Sequence, residues 1–281
     1  MELPSEPVGN RAAAEREQGA MSMKTVILAG GLGTRLSEET SSRPKPMVTV
    51  GGRPILWHLM KSYADQGYSD FVIALGYRGD VIKEYLLNLR SLSSSFTIDT
   101  STGHVNLISN VPEEEWSVTA LETGESCETG GRVLQCGRFI DEDTFMVTYG
   151  DGLADVDVRA LVDFHRSHRG AATVTAVRPP ARFGRLTVDG SRVTAFGEKP
   201  TETDDWINGG FFVLDRRALD YIDGNSTVFE REPLERLAAA GELHAWRHEG
   251  FWQPMDTLRE RRMLEDIWAT GSAPWLRRPL P

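Results

Sequence analysis

The stretch that most constrains the fold is LAGGLGTR, residues 28–35, which directly follows a short apolar run. That run, TVILA at residues 25–29, predicts a buried parallel strand that ends at the glycines. A glycine loop placed directly after such a strand is typical of proteins that bind phosphate. The stretch therefore predicts an α/β protein with an anionic ligand, and it leaves open which ligand that is.

The segments after this loop alternate between helix and strand. Apolar residues at four-residue steps predict a helix over residues 54–66, and a strand at 71–75 and a helix at 80–88 follow. Another apolar strand, 145–149, ends in Gly150-Asp151-Gly152, and Asp189-Gly190 predicts a hairpin turn. This order predicts an α/β fold with a mostly parallel, doubly wound, Rossmann-like central sheet and small antiparallel additions. We expect one domain over residues 24–281, after a polar, disordered tail at residues 1–23.

The charge balance excludes several classes of partner. The chain has 41 acidic against 31 basic residues, a net charge of −10 and a pI of about 5.2. Such a surface does not attract nucleic acid or anionic lipid, and no apolar run approaches the roughly 20 residues of a membrane span. We expect a cytoplasmic protein with no nucleic-acid or membrane partner, in which Cys127 and Cys136 stay reduced.

Two familiar phosphate loops do not fit the sequence. A dinucleotide fingerprint needs a third glycine where this chain has Leu36, and the following Pro44 and Pro46 disfavour the helix that should come next. The Walker pattern G-x-x-x-x-G-K-[ST] is absent from the sequence. A dehydrogenase and a P-loop NTPase are therefore both disfavoured.

What remains is a glycine loop accompanied by two cations. Gly30, Gly31 and Gly33 allow backbone N–H groups to approach anionic oxygens closely. Arg35 can donate two hydrogen bonds to one phosphate, and Lys45 lies between two prolines that fix its backbone. The alternative is an ordinary strand–helix turn with two solvated charges, which so many suitable residues at one strand end disfavour.

The same stretch, with the later segments SSRPKPM, TYGDG, FGEKP, WINGGFFV and GFWQPMDT, resembles the sugar-1-phosphate nucleotidyltransferases. The last two segments are similar to those of the branch that makes CDP-glucose, and the resemblance runs from about residue 24 to 275. It implies a nucleotidyltransferase fold and transfer of CMP from CTP to α-D-glucose 1-phosphate, with Mg²⁺ as cofactor. It also implies a homo-oligomer.

The resemblance assigns roles to the phosphate-binding residues. Arg35 steadies the leaving pyrophosphate, Lys45 lies near the α-phosphate, and the catalytic set is Arg35, Lys45 and Asp151. The nucleotide is expected to contact Leu28, Ala29, Gly30, Gly31, Leu32, Gly33, Thr34, Arg35, Lys45, Thr129, Arg132 and Gly150.

Two carboxylates are expected to hold the metal. Asp151 follows an apolar strand between two glycines, at the kind of strand end where α/β sheets bind ligands. Asp256 is expected to be its partner by the resemblance, although the residues alone fit a cap of the final helix equally well. Mg²⁺ prefers one or two carboxylates together with phosphate oxygens.

The remaining predictions concern the sugar and the base. Glu198 and Lys199 are expected to bind the hexose and its phosphate, with Asn208 and Gly209 close by. A loop over residues 129–132 is expected to lie beside cytosine, where Arg132 would donate to O2 and N3. A UTP- or dTTP-dependent enzyme of the same fold, or a non-catalytic sugar-nucleotide-binding protein, stays open as an alternative.

Overall fold

The structure is a computed structural model that describes residues 23–108, 114–179, 185–189, 191–197 and 205–277. Strands and helices are numbered in chain order. The strands are β1 (Thr25–Leu28), β2 (Thr49–Val50), β3 (Arg53–Pro54), β4 (Asp70–Leu75), β5 (Ser95–Asp99), β6 (His104–Ile108), β7 (Ser117–Glu122), β8 (Thr144–Tyr149), β9 (Gly152–Ala154), β10 (Ala172–Val177), β11 (Arg185–Asp189), β12 (Arg192–Gly197), β13 (Ile207–Asp215), β14 (Leu243–His248) and β15 (Trp252–Pro254). The helices are α1 (Ser37–Thr40), α2 (Ile55–Ala64), α3 (Gly79–Leu87), α4 (Leu89–Leu92), α5 (Thr129–Phe139), α6 (Val158–Ser167), α7 (Glu232–Ala239) and α8 (Leu258–Ala269), and 3₁₀ turns cover Thr34–Leu36, Lys45–Met47 and Arg216–Tyr221.

A seven-stranded sheet forms the centre of the fold, in the order β14-β10-β13-β8-β1-β4-β7. Every neighbouring pair is parallel except the two that involve β13, which runs against both β8 and β10. The predicted mostly parallel, doubly wound sheet is therefore confirmed. That residues 24–281 form one domain stays a prediction.

The sheet is covered on both faces, which explains why β1 is apolar throughout. Ile27 faces one buried cluster, to which α2 contributes Leu59, while Val26 faces a second cluster, to which α5 contributes Val133. A strand buried on both faces needs apolar side chains at consecutive positions, as TVIL provides. Within the described residues, no helix is long and apolar enough to cross a lipid bilayer.

The topology gathers several chain segments at one edge of the sheet. The carboxyl ends of β1, β4 and β8 lie side by side because these strands are parallel and adjacent. Since β13 is antiparallel to β10, its first residues also lie at this edge, with Asn208 opposite Ala176. The edge therefore carries the glycine loop, the Gly150-Asp151 turn and Asn208 together.

Two elements differ from the sequence predictions. Residues 129–132, predicted as a loop, form the first turn of α5, and the residues before them include β7, an edge strand of the main sheet that the sequence pattern does not predict. The hairpin predicted at Asp189-Gly190 is confirmed as β11–β12, with Gly190 outside the described residues, and β5 and β6 form a second hairpin. Of the predicted tail, residues 1–22 also lie outside them, whereas Met23 is buried in the core.

Candidate active site

A cavity of about 1080 Å³ opens at the carboxyl edge of the sheet. This volume is sufficient for two ligands of the size of a nucleotide and a sugar phosphate. The cavity brings together the sequence-predicted residues Leu28, Ala29, Gly30, Gly31, Leu32, Gly33, Thr34, Lys45, Thr129, Arg132, Gly150, Asp151, Asn208, Gly209 and Asp256.

Two glycines of the cavity wall are required by the backbone. Gly33 has a φ of +62°, a left-handed conformation that residues with a Cβ adopt at a cost. At Gly150, a Cβ would lie 2.6 Å from the carbonyl oxygen of Leu28 and 2.9 Å from Cγ of Pro46. Gly150 therefore lets the Lys45–Met47 turn pack directly against the end of β8.

Lys45 lies between two carboxylates at the centre of this edge. Its Nζ donates to Oδ2 of Asp151 at 2.7 Å and to Oδ1 of Asp256 at 2.6 Å. Burial alone would lower the pKa of Lys45, but its pairing with the two carboxylates outweighs this effect and raises the pKa above its ordinary value. Lys45 therefore carries its positive charge at neutral pH.

A small antiparallel strand pair brings the second carboxylate to the first. β15 pairs with β9 so that Pro254 lies opposite Gly152, and the Met255 N–H donates to the Asp151 carbonyl at 2.8 Å. The alternative role for Asp256, a cap of the final helix, is filled by Thr257, whose hydroxyl accepts from the Glu260 N–H. The Asp256 carboxylate is instead directed towards Lys45.

The pair Asp151 and Asp256 is suited to a hard divalent cation. Both carboxylates already bind one cationic centre, and their contacting oxygens are no more than 5.3 Å apart, the sum of the two distances to Nζ. Among the described residues there is no group of three or more histidine, cysteine, aspartate or glutamate side chains arranged for a metal. Two carboxylates suffice for Mg²⁺ where substrate phosphates and water complete the coordination.

The described wall of the cavity carries more negative than positive charge. Its described lining includes the cations Lys45 and Arg132 and five carboxylates, namely Glu125, Glu128, Asp151, Glu230 and Asp256. An acidic cavity needs additional positive charge before it can hold phosphate groups. A divalent cation between Asp151 and Asp256 would supply it.

Arg132 lies in the cavity wall, but its guanidinium contacts the protein. It is buried, and its two terminal nitrogens donate to the carbonyl oxygens of Leu75, Gly30 and Glu125 and to the Thr123 hydroxyl. These contacts join the ends of β1, β4 and β7. The arrangement supports a role for Arg132 in holding the glycine loop in place, rather than the predicted donation to cytosine O2 and N3.

The sugar side of the cavity is described in part. Trp252 donates from its indole N–H to the Gly209 carbonyl at 2.8 Å, which fixes the start of β13 beside Asn208. Glu198 and Lys199 lie outside the described residues. The backbone of Arg35 belongs to the Thr34–Leu36 turn, and the predicted phosphate contact of its side chain lies outside what the structure describes.

Two further cavity residues, Tyr149 and Glu230, carry polar side chains that the sequence prediction did not include. Tyr149 stands in the TYGDG segment, so its position at the end of β8 is a usable signal. Glu230 lies in no recognisable pattern. It reaches the cavity because residues 225–229 pack over the start of α5, where the Phe229 N–H donates to the Thr129 hydroxyl.

Comparisons with known proteins identify the family of the chain. The nucleotidyl transferase family model matches residues 24–254. The glucose-1-phosphate cytidylyltransferase of Salmonella typhi is 50% identical over 254 residues, which cover 90% of this chain and 98% of that protein. A mannose-1-phosphate guanyltransferase of Aspergillus fumigatus is 32% identical over 248 residues, or 84% of this chain and 62% of that protein.

Among solved structures, HddC from Yersinia pseudotuberculosis superimposes with a TM-score of 0.65 at 24% identity, covering 88% of this chain and 99% of that one. This likeness concerns the fold, whereas the family assignment rests on the sequence matches. The chain belongs to the nucleotidyl transferase family, as an enzyme similar along nearly its whole length to glucose-1-phosphate cytidylyltransferases.

Proposed function

We propose that the protein transfers CMP from CTP to α-D-glucose 1-phosphate, and that it requires Mg²⁺ to do so. An oxygen of the sugar phosphate attacks the α-phosphorus of CTP and forms a new P–O bond. The bond between the α-phosphorus and the bridging oxygen breaks, and pyrophosphate leaves with that electron pair. The products are CDP-glucose and pyrophosphate.

The observation that supports this reaction best is the convergence of Lys45, Asp151 and Asp256 beside the glycine loop. Phosphoryl transfer requires positioning and charge neutralisation rather than covalent help from the protein. A buried ammonium with two carboxylates next to the backbone of the glycine loop at a strand end provides these elements. The 50% identity to a cytidylyltransferase supports CTP as the nucleotide.

Each element has a distinct role in this proposal. The loop from Gly30 to Thr34 holds the triphosphate, and Lys45 donates to the α-phosphate as negative charge develops there. Asp151 and Asp256 would hold Mg²⁺, which when bound withdraws charge from the phosphate oxygens. The base lies along residues 125–129, and the hexose lies beside Asn208 and Trp252.

Pyrophosphate release with glucose 1-phosphate and each of CTP, UTP and dTTP tests the proposal. We expect turnover with CTP and Mg²⁺, and loss of turnover in excess EDTA. Faster turnover with dTTP or UTP would replace CTP in the proposal. No pyrophosphate with any nucleotide, although the protein binds them, would favour a non-catalytic sugar-nucleotide-binding protein.

Variants of the carboxylates test the metal assignment. Asp151→Asn and Asp256→Asn keep the side-chain shape, and each should lower kcat/KM by about 100-fold or more, because charge stabilisation of the transferring phosphoryl group is lost. Asp163→Asn, on the exposed face of α6, is the matched control and should keep wild-type kinetics. Near-normal rates for Asp151→Asn or Asp256→Asn would contradict the assignment.

We also propose that the protein is a homo-oligomer. The β5–β6 hairpin presents Phe96, Ile98 and Val105 on one face, and each of these side chains is between 44 and 49% exposed. A two-stranded hairpin with an open apolar face gains stability when that face is covered. Light scattering of the wild type and of Ile98→Ser tests this, and a wild-type monomer would contradict it.

A further inference from the structure

The Glu230 carboxylate lies in the wall of the cavity, yet the proposed transfer gives it no role. It follows Phe229, in the segment that packs over the start of α5. The Thr129 hydroxyl donates to Glu230 Oε2 at 2.6 Å and in turn accepts from the Phe229 N–H at 2.9 Å. The carboxylate is thus held in place by the first residue of α5 and remains exposed to the cavity.

A second contact joins Glu230 to the opposite side of the cavity. The Tyr149 phenol lies beside the Glu230 carboxylate and accepts a hydrogen bond from Asn208 Nδ2 at 3.0 Å. Since its oxygen accepts from Asn208, the Tyr149 hydroxyl keeps its own hydrogen available for the neighbouring Glu230 carboxylate. Asn208 is fixed in turn, because its Oδ1 accepts from the Gly210 N–H at 2.8 Å.

Glu230 therefore stands between the two ends of the bound substrates. Thr129 belongs to the side proposed for the base, and Asn208 belongs to the side proposed for the hexose. In a nucleotide joined to a hexose, the ribose and two phosphates lie between these ends. A carboxylate repels phosphates but accepts hydrogen bonds from hydroxyls, and a carboxylate on the ribose hydroxyls is an established means of nucleotide recognition.

We propose that Glu230 accepts hydrogen bonds from the 2′- and 3′-hydroxyls of the nucleotide ribose and so selects ribonucleotides over 2′-deoxyribonucleotides. Resting on the proposed function, this inference adds a specificity residue to it. An ionised carboxylate has about four acceptor positions; Thr129 occupies one, and even if the Tyr149 hydroxyl takes a second, two are available to the diol. A 2′-deoxynucleotide would leave one of these positions without a donor.

The test compares CTP with dCTP in the wild type, in Glu230→Gln and in the control Glu232→Gln. Glu232 is exposed on α7, two residues away and outside the cavity lining, so its variant makes the same charge change without touching the ligand. We expect the wild type and the control to prefer CTP, in kcat/KM and in the dissociation constant measured by calorimetry. In Glu230→Gln, this preference should fall about 10-fold or more, mainly through weaker binding of CTP.

Other outcomes would overturn the inference. An unchanged CTP-to-dCTP ratio in Glu230→Gln would do so, and so would a change confined to the CTP-to-UTP ratio or to the KM of glucose 1-phosphate. If the wild type uses another base, the proposed function fails, and the same comparison is made between the ribonucleotide and the 2′-deoxyribonucleotide of that base. If calorimetry then shows that the wild type binds the ribonucleotide and the 2′-deoxyribonucleotide with equal affinity, the role of Glu230 is refuted independently of the proposed function.

Discussion

Replacing Lys45 by Met should destabilise the protein, and Mg²⁺ should restore much of the lost stability. Met keeps most of the length of the side chain but removes the charge that Asp151 and Asp256 share at 2.7 and 2.6 Å. The two carboxylates are then left as like charges with no cation between them. Their contacting oxygens are no more than 5.3 Å apart, the sum of those two distances.

The size of the effect follows from this separation. Two unit charges about 5 Å apart repel by about 1 kcal/mol in water and about 3 kcal/mol at an effective dielectric constant near 20. The side chains of Asp151 and Asp256 are 36% and 19% exposed, so both limits are relevant. We therefore expect the free energy of unfolding to fall by about 1–3 kcal/mol, which for a chain of this size lowers Tm by about 2–12 °C.

The assay is thermal unfolding at pH 7 and low ionic strength, first in EDTA and then in Mg²⁺. Because a divalent cation can take the place of the ammonium, Mg²⁺ should raise the Tm of Lys45→Met more than that of the wild type. Lys83→Met is the matched control, since Lys83 pairs with Glu122 at the exposed surface and should contribute little. The reasoning is refuted if Lys45→Met is as stable as the wild type in EDTA, or if Mg²⁺ stabilises both equally.

Three further predictions concern the framework around the site. Burial lowers the pKa of His58 to about 4, below its unfolded value near 6.5, so its contribution to stability is full above about pH 6.5 and is lost as the pH falls towards 4. In His58→Gln, the difference in unfolding free energy between pH 7 and pH 4.5 should shrink by about 2–3 kcal/mol, and equal differences in urea titrations of both proteins would contradict this. Arg132→Lys keeps the charge but loses the fork that joins three strand ends, so KM for the nucleotide should rise about 10-fold, and steady-state kinetics with an unchanged KM would argue against a positioning role. Asp157→Ala removes the acceptor of the Ala160 N–H at the start of α6 and should lower the free energy of unfolding by about 1 kcal/mol in urea titrations without changing turnover.

The sequence predicted the strands and helices that are marked by a local pattern of apolar residues, glycine or proline. β1, β4 and β8 are apolar runs of strand type that end at glycines, and each is found within one residue of its predicted limits. The helix predicted over residues 54–66 is α2, which begins after Pro54 because the φ of proline suits the position before a first turn.

Two elements escaped prediction because tertiary contacts decide them. α5 opens with Thr-Gly-Gly, a poor start for a helix, yet Gly130 is needed there because a Cβ would lie 2.6 Å from the Thr227 carbonyl oxygen. β7 is an edge strand whose side chains are partly exposed, so it lacks a clear apolar signal. In both places, packing against a distant segment overrides the local preference.

The same distinction applies to the candidate site. Lys45, Asp151 and Asp256 lie in sequence segments that match known motifs, so they could be predicted. The structure brings their side chains together through the β9–β15 pair. Glu230 could not be found in this way, because its place in the cavity depends on how residues 225–229 pack on α5. The orientation of the Arg132 guanidinium was likewise not predictable, because its hydrogen-bond acceptors belong to three strand ends that are far apart in sequence.

The most direct test of the central claim is a competition in one vessel. The wild-type protein is incubated with α-D-glucose 1-phosphate, Mg²⁺ and equal concentrations of CTP, UTP and dTTP, and the sugar nucleotides are separated by mass. We expect CDP-glucose to be the main product, formed together with an equal amount of pyrophosphate, and we expect EDTA to prevent its formation. Predominant UDP-glucose or dTDP-glucose, or no sugar nucleotide at all, would contradict the central claim.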